Sequence, residues 1–231
     1  MDRIKTGVEG LDIMLDGGVP KNHTFVVMGS FGTGKTTFGL QFLNQGLAQG
    51  EKGIYISLEE DQDSIMEDAR SHGWELKPFI DSKQLTVVKL EPNDAKSTVQ
   101  RIKSELPEFI KQSGASRIVL DSVSLLNMLF DNEHERRANL FNLSQMIKRT
   151  GATCLMTAEV KDENPLCSRD GLVEYVADGV ISLRYVERLE KSELQLSVRI
   201  IKMRRTNHSR KITPYQITSK GIVVHEGSEI N

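Results

Sequence analysis

Cysteine is nearly absent from this chain. Only Cys154 and Cys167 occur in 231 residues, and they form no Cys-x-x-Cys pair. That excludes a disulfide scaffold and argues against a structural zinc site, since both need several closely spaced sulfurs. Cys154 lies in Thr153-Cys154-Leu155-Met156 and reads as a core strand residue, whereas Cys167 lies in a polar stretch. Long apolar runs are missing too. None approaches the ~18 residues that a membrane-spanning helix requires. The start, Met1-Asp2-Arg3-Ile4-Lys5, leads into a Gly-rich polar segment and not into the apolar stretch of a signal peptide. The expectation is an intracellular, cytoplasmic protein with no membrane partner. Nor is there an excess of charge. Lys and Arg number 30 against 32 Asp and Glu, for a formal net charge of -2. The sum neither demands nor forbids a nucleic-acid partner, so local patches decide. Internal repeats, low-complexity tracts and linkers are also lacking, and one α/β domain over residues 1–231 is expected.

What the chain does have is Gly29-Ser30-Phe31-Gly32-Thr33-Gly34-Lys35-Thr36, a full match to the P-loop pattern G-x-x-x-x-G-K-[ST]. Thr24-Phe25-Val26-Val27-Met28 before it reads as a buried strand. Thr37-Phe38-Gly39-Leu40-Gln41-Phe42-Leu43 after it reads as the start of a helix, the context the motif needs. A Gly-rich turn lets successive backbone N–H groups point at phosphate oxygens, and the helix N-terminus adds a favourable dipole. The segment from Gly29 to Thr37 is therefore the candidate nucleotide-binding loop. Lys35 supplies positive charge for the β- and γ-phosphates, and Thr36 a hydroxyl for Mg²⁺.

Further strands are expected at 53–58, 85–90, 117–121 and 152–158, alternating with helices at 36–49, 61–72, 96–113 and much of 122–149. After a polar loop at 161–171 come strands near 179–185, 194–202, 213–218 and 222–224. Residues Arg184 to Ser192 read as a hairpin loop. The pattern describes a mostly parallel sheet flanked by helices, extended by antiparallel C-terminal strands.

Acids close three of the apolar strands. Asp121 follows Ile118-Val119-Leu120. Because carboxyl ends of parallel strands converge on the ligand crevice, Asp121 is the candidate Walker B ligand to Mg²⁺; the plainer role is to cap the next helix. Glu59 and Glu60 close the second strand. One of the pair is placed to polarise the attacking water, with the other supporting it, unless they simply mark a solvated turn. Glu159, past the fifth strand, is a weaker candidate for a supporting role. A basic segment, Lys202, Arg204, Arg205, His208 and Arg210, follows a late strand. It fits an arginine-finger role toward phosphate, a nucleic-acid surface, or a solvated loop. Arg136 and Arg137 sit among acids without aromatic interleaving, which favours a salt-bridged helix face and leaves only weak nucleic-acid binding open.

The set Gly29–Thr36, Leu58-Glu59-Glu60, Asp121-Ser122 and Lys202-Met203-Arg204-Arg205-Thr206-Asn207-His208 resembles the archaeal single-domain relatives of the circadian clock ATPase KaiC, within the RecA/DnaB superfamily. Thr6–Asp12, Gly17–Pro20, Asp178–Ile181 and Pro214–Ile217 are similar to the same family. The resemblance runs from about residue 4 to 225. It implies a RecA-like P-loop NTPase fold, ATP and Mg²⁺ as ligands, and a homo-oligomeric ring, usually a hexamer, with ATP between neighbours. It makes Glu59 and Glu60 the catalytic carboxylates. It sends Lys202, Arg204 and His208 across the interface to the next subunit's phosphates, and places Arg210 near the nucleotide. In the clock protein the domain occurs twice in one chain; here it occurs once. A nucleotide-gated regulatory protein with slow hydrolysis, a DNA-associated recombinase-like ATPase and an autokinase are the alternative readings, and any protein partner is unknown.

Overall fold

The computed structural model describes all residues except 91–103, 162–163, 189–192, 226 and 228–231. The described strands are β1 (Arg3–Ile4), β2 (Val19–Pro20), β3 (Thr24–Gly29), β4 (Gly53–Ser57), β5 (Leu85–Lys89), β6 (Arg117–Asp121), β7 (Thr153–Ala158), β8 (Val160–Lys161), β9 (Asn164–Ser168), β10 (Gly179–Arg188), β11 (Glu193–Met203), β12 (Thr213–Thr218) and β13 (Gly221–Val224). The described helices are α1 (Leu11–Met14), α2 (Lys35–Leu47), α3 (Gln62–Ser71), α4 (Lys77–Asp81), α5 (Leu106–Ser113), α6 (Val123–Met128), α7 (Glu133–Arg149) and α8 (Val173–Val176).

The main sheet runs β13-β12-β11-β10-β3-β7-β6-β4-β5. From β10 to β5 every pairing is parallel, and from β10 to β13 every pairing is antiparallel. The mostly parallel sheet with antiparallel C-terminal strands is thus present as expected. Strands β3, β4 and β7 are buried at every position. This is why they read as unbroken apolar runs and not as alternating ones: helices cover both of their faces. On one face α2 lays Phe38, Leu40, Phe42 and Leu43 against Phe25, Val27, Tyr55 and Val119. On the other, α5 and α7 lay Ile110, Leu140, Leu143 and Ile147 against Val26, Met28, Ile118 and Met156.

The chain starts the sheet at β3 and lays β4 three places away. It fills the gap later with β6 and β7, and puts β10 on β3's other side. The strand order therefore reverses direction at β3. A crevice opens beyond the carboxyl ends of strands at such a point, and the loop Gly29–Lys35 leaves from there.

Three expectations change. The polar loop at 161–171 contains β9, which pairs antiparallel with β8. Its apolar run, Leu166-Cys167 after a proline and between polar neighbours, is too short to read as a strand. The hairpin loop at 184–192 shrinks, because β10 continues through Arg188, held by cross-strand pairing as far as Glu193. The short helices α1, α4 and α8 carry too few residues for a helical period to show. The turn expected at Glu91-Pro92-Asn93-Asp94 and the first part of the helix at 96–113 lie outside the described residues.

Candidate active site

Strand β3 delivers Gly29 between two neighbours. A Cβ at Gly29 would sit 2.5 Å from both the Leu183 carbonyl oxygen and Thr33 Oγ1. Only glycine lets the chain leave the sheet here. The loop is then tied internally: Thr33 Oγ1 donates to the Ser30 carbonyl at 2.7 Å, Lys35 Nζ to the same oxygen at 2.9 Å, and Tyr215 OH to the Thr33 carbonyl at 2.6 Å. Gly34 takes φ +83° as the residue before α2, and no side chain caps that helix. Its first-turn N–H groups thus remain available to an anion, backed by the helix dipole. Phe31 projects from the loop and is 86% exposed. Burial pulls the Lys35 ammonium below its ordinary pKa, while the fields of Asp121, Glu159 and Glu59 act in the opposite direction.

Thr36 and Asp121, 85 residues apart, meet under this loop: Thr36 Oγ1 donates to Asp121 Oδ2 at 2.9 Å. Tyr55 OH donates to the same oxygen at 2.6 Å, and Thr157 Oγ1 donates to Oδ1. Asp121 does not cap α6; Ser122 holds that position, and no side chain makes the cap bond. Three hydroxyls from α2, β4 and β7 therefore hold one carboxylate in place. Burial first, then Asp121, pushes the Tyr55 hydroxyl well above the ordinary tyrosine pKa. It stays protonated and keeps its role as donor.

Glu59 and Glu60 leave β4 in a turn whose N–H groups both reach Ser57 Oγ, at 3.2 and 2.8 Å. Their surroundings differ. Burial raises the Glu59 carboxyl pKa, Asp121 and Glu159 add to the rise, and Lys35 opposes it. Burial also raises Glu60, but its next causes are Asp68 and then Asp121. Glu60 Oε2 is enclosed and has no hydrogen-bond partner. So Glu59 shares the field of the phosphate-loop lysine, and Glu60 shares that of α3.

A magnesium ion fits this donor set. The Thr36 hydroxyl and the Asp121 carboxylate are hard oxygen donors already within hydrogen-bond distance, and an orphaned carboxylate oxygen lies on the adjoining strand end. Among the described residues no three or more His, Cys, Asp or Glu converge as a cage. That suits Mg²⁺, which takes one or two protein oxygens and completes its shell with phosphate and water.

The basic segment lies elsewhere. Met203 is level with Gly179, and Gly179 with Phe25, at the start of β3. The phosphate loop leaves after Gly29, at the other end of that strand. Four residue rises separate the two levels, about 13 Å along the sheet. Lys202 Nζ donates to the carbonyls of Glu174 and Ala177 at 3.0 and 2.6 Å, and burial lowers its pKa. Arg204 reaches Asp178 at 3.6 Å and is 56% exposed at its side chain. The His208 ring nitrogen Nδ1 lies 2.9 Å from the Ser209 carbonyl, and Arg210 is exposed. The structure thus gathers Lys35, Thr36, Glu59, Glu60 and Asp121 at one end of the sheet and Lys202 and Arg204 at the other. Arg136 pairs with Asp170 at 3.6 Å and donates to the Phe130 carbonyl, as expected of a salt-bridged face.

Sequence reasoning missed Tyr55 and Thr157. Thr157 had a faint signal, a hydroxyl near the carboxyl end of an apolar strand. Tyr55 sits mid-strand between Ile54 and Ile56 and carried none. Glu159, singled out for a supporting role, is tied by its N–H to Ser124 Oγ and by Oε2 to Arg169, each at 2.9 Å.

Comparison with known proteins bears on this arrangement. A family model described as the KaiC ATPase matches residues 4–229. The circadian clock oscillator protein KaiC of Parathermosynechococcus lividus is 34% identical over 229 residues, which is 94% of this chain and 41% of that protein. The protein of the same name from Synechococcus elongatus is 32% identical, over 95% of this chain and 43% of its own length. The chain therefore spans less than half the length of the curated relatives it matches. Among solved structures, a KaiC-like protein from the hyperthermophilic archaeon Pyrococcus horikoshii OT3 superposes with a TM-score of 0.85 at 32% identity, covering 97% of this chain and 99% of that one.

Proposed function

The chain belongs to the KaiC family of ATPases, with its RecA-like P-loop fold, and from that premise we propose that it is a Mg²⁺-dependent ATPase whose sites are each completed by a neighbouring copy in a ring. In this reading residues 1–231 form one domain of the archaeal single-domain type, and the ring is a hexamer. The observation that carries it is the placement of the two halves of the chemistry at opposite ends of β3. The phosphate loop leaves the end at Gly29, and the basic segment follows the level of Phe25. A segment facing away from its own phosphate loop serves a phosphate only on another copy.

The roles follow from the residues. The N-terminus of α2 and the loop Gly29–Gly34 bind the phosphates of ATP, and Lys35 supplies a mobile charge. Thr36 and Asp121 hold Mg²⁺, which when bound neutralises charge on the β- and γ-phosphates. Glu59 orients water and accepts its proton. A carboxylate with a raised pKa is the stronger base, and so suited to that task. Glu60, held in the field of Asp68, supports the turn from beneath. Arg204, the more exposed of the two trans candidates, stabilises charge on the neighbour's transferring phosphoryl group. Lys202, bonded to the carbonyls at the end of α8, sets the position of the strand that carries Arg204. Among the described residues no helix is long and apolar enough to cross a membrane, and a cytoplasmic location is part of the proposal.

Mixing two inactive variants tests the composite site. Arg204→Ala removes the trans cation; Glu59→Gln with Glu60→Gln removes the cis carboxylates. In mixed rings, an Arg204→Ala subunit beside a carboxylate-variant neighbour forms an intact site, so phosphate release returns on mixing. If mixtures stay as inactive as their components, the trans assignment is wrong. Light scattering gives the second arm. A species that remains monomeric with MgATP refutes the ring. A ring that assembles with ATP but releases phosphate no faster than Lys35→Ala indicates a regulatory nucleotide switch instead.

A further inference from the structure

The β10–β11 hairpin carries two arginines on one face. Alternation along the strands directs Ile181 and Leu183 of β10, and Val198 and Ile200 of β11, into the core beneath α2. Ser182, Arg184, Ser197 and Arg199 therefore project from the opposite face. The register pairs Ser182 with Arg199 and Arg184 with Ser197. Arg184 and Arg199 are thus diagonal cross-strand neighbours, with backbones about 7–8 Å apart. Like charges so placed repel each other.

Their surroundings do nothing to relieve this. The Nε atoms of both arginines are enclosed and have no hydrogen-bond partner; the same is true of Ser182 Oγ and Gln195 Oε1 on the same hairpin. Neither arginine forms an ion pair among the described residues. The other half-buried or buried Lys and Arg side chains among the described residues are matched. Arg3 pairs with Asp16, Arg117 with Glu51, Arg136 with Asp170 and Lys148 with Asp178, and Lys35 and Lys202 donate to carbonyls. Burial and the neighbouring Arg199 both work against the charge on Arg184.

We propose that Arg184 and Arg199 form a binding site for a tetrahedral oxyanion, phosphate or a phosphate monoester, distinct from the phosphate loop. Two guanidinium forks present paired N–H donors that match the oxygens of such an anion, and the Ser182 hydroxyl lies opposite Arg199 as a further donor. Binding cancels the repulsion between the arginines and satisfies donors otherwise left without partners. The site also lies next to the nucleotide machinery. Arg184 directly follows Leu183, whose carbonyl oxygen closes against Gly29, so an anion held there stiffens the strand on which the phosphate loop rests.

The test uses the full chain carrying Lys35→Ala, which removes the lysine that would hold phosphate in the P-loop. Melting temperature is followed against inorganic phosphate, against O-phosphoserine, and against chloride at matched ionic strength, because exposed charges respond to salt of any kind. The expected result is a saturable rise of a few degrees with phosphate beyond the chloride control, abolished by Arg184→Gln with Arg199→Gln. Equal rises with phosphate and O-phosphoserine identify the free anion as sufficient; a larger rise with O-phosphoserine identifies a monoester. A rise that survives in the double Gln variant, or no rise beyond chloride, overturns the proposal. Arg184→Lys with Arg199→Lys keeps both charges and discards the forks. Its half-saturating phosphate should increase at least tenfold, and an unchanged value would show a plain electrostatic patch and also overturn the site.

Discussion

Replacing Tyr55 with phenylalanine removes one oxygen and leaves the ring. Tyr55 is 1% exposed, so the packing of its ring against α2 and β6 is kept. What is lost is the 2.6 Å donation to Asp121 Oδ2. A hydrogen bond to a charged group contributes about 1.5–3 kcal/mol, and phenylalanine leaves no orphaned polar atom of its own. For a chain of this size each kcal/mol moves the melting temperature by about 2–4 °C. The predicted fall is therefore roughly 3–12 °C, measured calorimetrically in EDTA without nucleotide. The same oxygen still receives Thr36 Oγ1 at 2.9 Å, so Asp121 remains near its position but less tightly held. Partners that orient a metal ligand typically contribute 10–100-fold to metal affinity or activity. Half-saturating Mg²⁺ for phosphate release should rise on that scale, with maximal turnover at saturating Mg²⁺ changed less. Thr157→Val should act in the same direction, and the two together by less than the sum of their effects, because they hold one carboxylate. A Tyr55→Phe protein that melts within about 1 °C of the parent in EDTA, far short of the charged-bond estimate, would refute the hydroxyl's part in the site.

Three other outcomes follow from the same geometry. Glu59 and Glu60 have folded-state pKa values raised above 4.5. Between 4.5 and those raised values the folded chain holds more protons than the unfolded one, so stability falls as pH rises through that window and then levels off. Glu59→Gln with Glu60→Gln should flatten that part of the melting-temperature profile; an unaltered slope would contradict the assignment. Glu51 is the opposite case, its pKa lowered chiefly by the bonds from Arg117. Its contribution is present above 4.5 and lost as pH falls through the lowered value. Arg117 is 1% exposed, so Glu51→Gln strands a buried guanidinium and should destabilise the fold by about 3–5 kcal/mol in denaturant titration. Gly29→Ala places a methyl group 2.5 Å from the Leu183 carbonyl, and should abolish ATP binding in equilibrium titration while the purified protein keeps its helical circular dichroism.

The parts of this molecule legible in its sequence were those written in neighbouring residues. The phosphate loop is eight consecutive positions flanked by a buried strand and a helix. The central strands are short apolar runs, and an acid marks the carboxyl end of three of them: Glu59 after β4, Asp121 at the end of β6, Glu159 after β7. The antiparallel extension was visible from late strands with no helices between them. Strand pairing is a different kind of information. Tyr55 reaches Asp121 because β4 lies beside β6 in the register Ser57↔Asp121. Nothing in Ile54-Tyr55-Ile56 distinguishes a tyrosine that aims its hydroxyl at the Asp121 carboxylate from one that merely fills a core. Arg117 shows the same limit. It opens a strand and looks exposed, yet it is among the largest fully buried side chains. Its guanidinium stacks 4.7 Å from the Phe42 ring, and Gly46 stays small because a Cβ there would lie 2.3 Å from Arg117 Nε.

The basic segment makes the strongest case for reading position along the sheet together with residue type. Lys202, Arg204 and His208 have the chemistry of phosphate ligands, and the sequence favours a finger over a nucleic-acid surface or a solvated loop without excluding either. Register bears on these readings. Met203 is level with Phe25 and Leu183 with Gly29, so the arginine and the phosphate loop of one chain face opposite ways. Lys202 is already engaged with the carbonyls of Glu174 and Ala177, and Arg204 is held only at 3.6 Å by Asp178, with more than half of its side chain exposed. A solvated loop needs no such anchoring of Lys202. Of the cations alongside, Lys148 pairs with the same aspartate and Arg205 lies against His23, while Arg210 is exposed. An anchored lysine beside one projecting arginine, at the end of the sheet away from the chain's own phosphate loop, supports the proposed contribution to a neighbour's site.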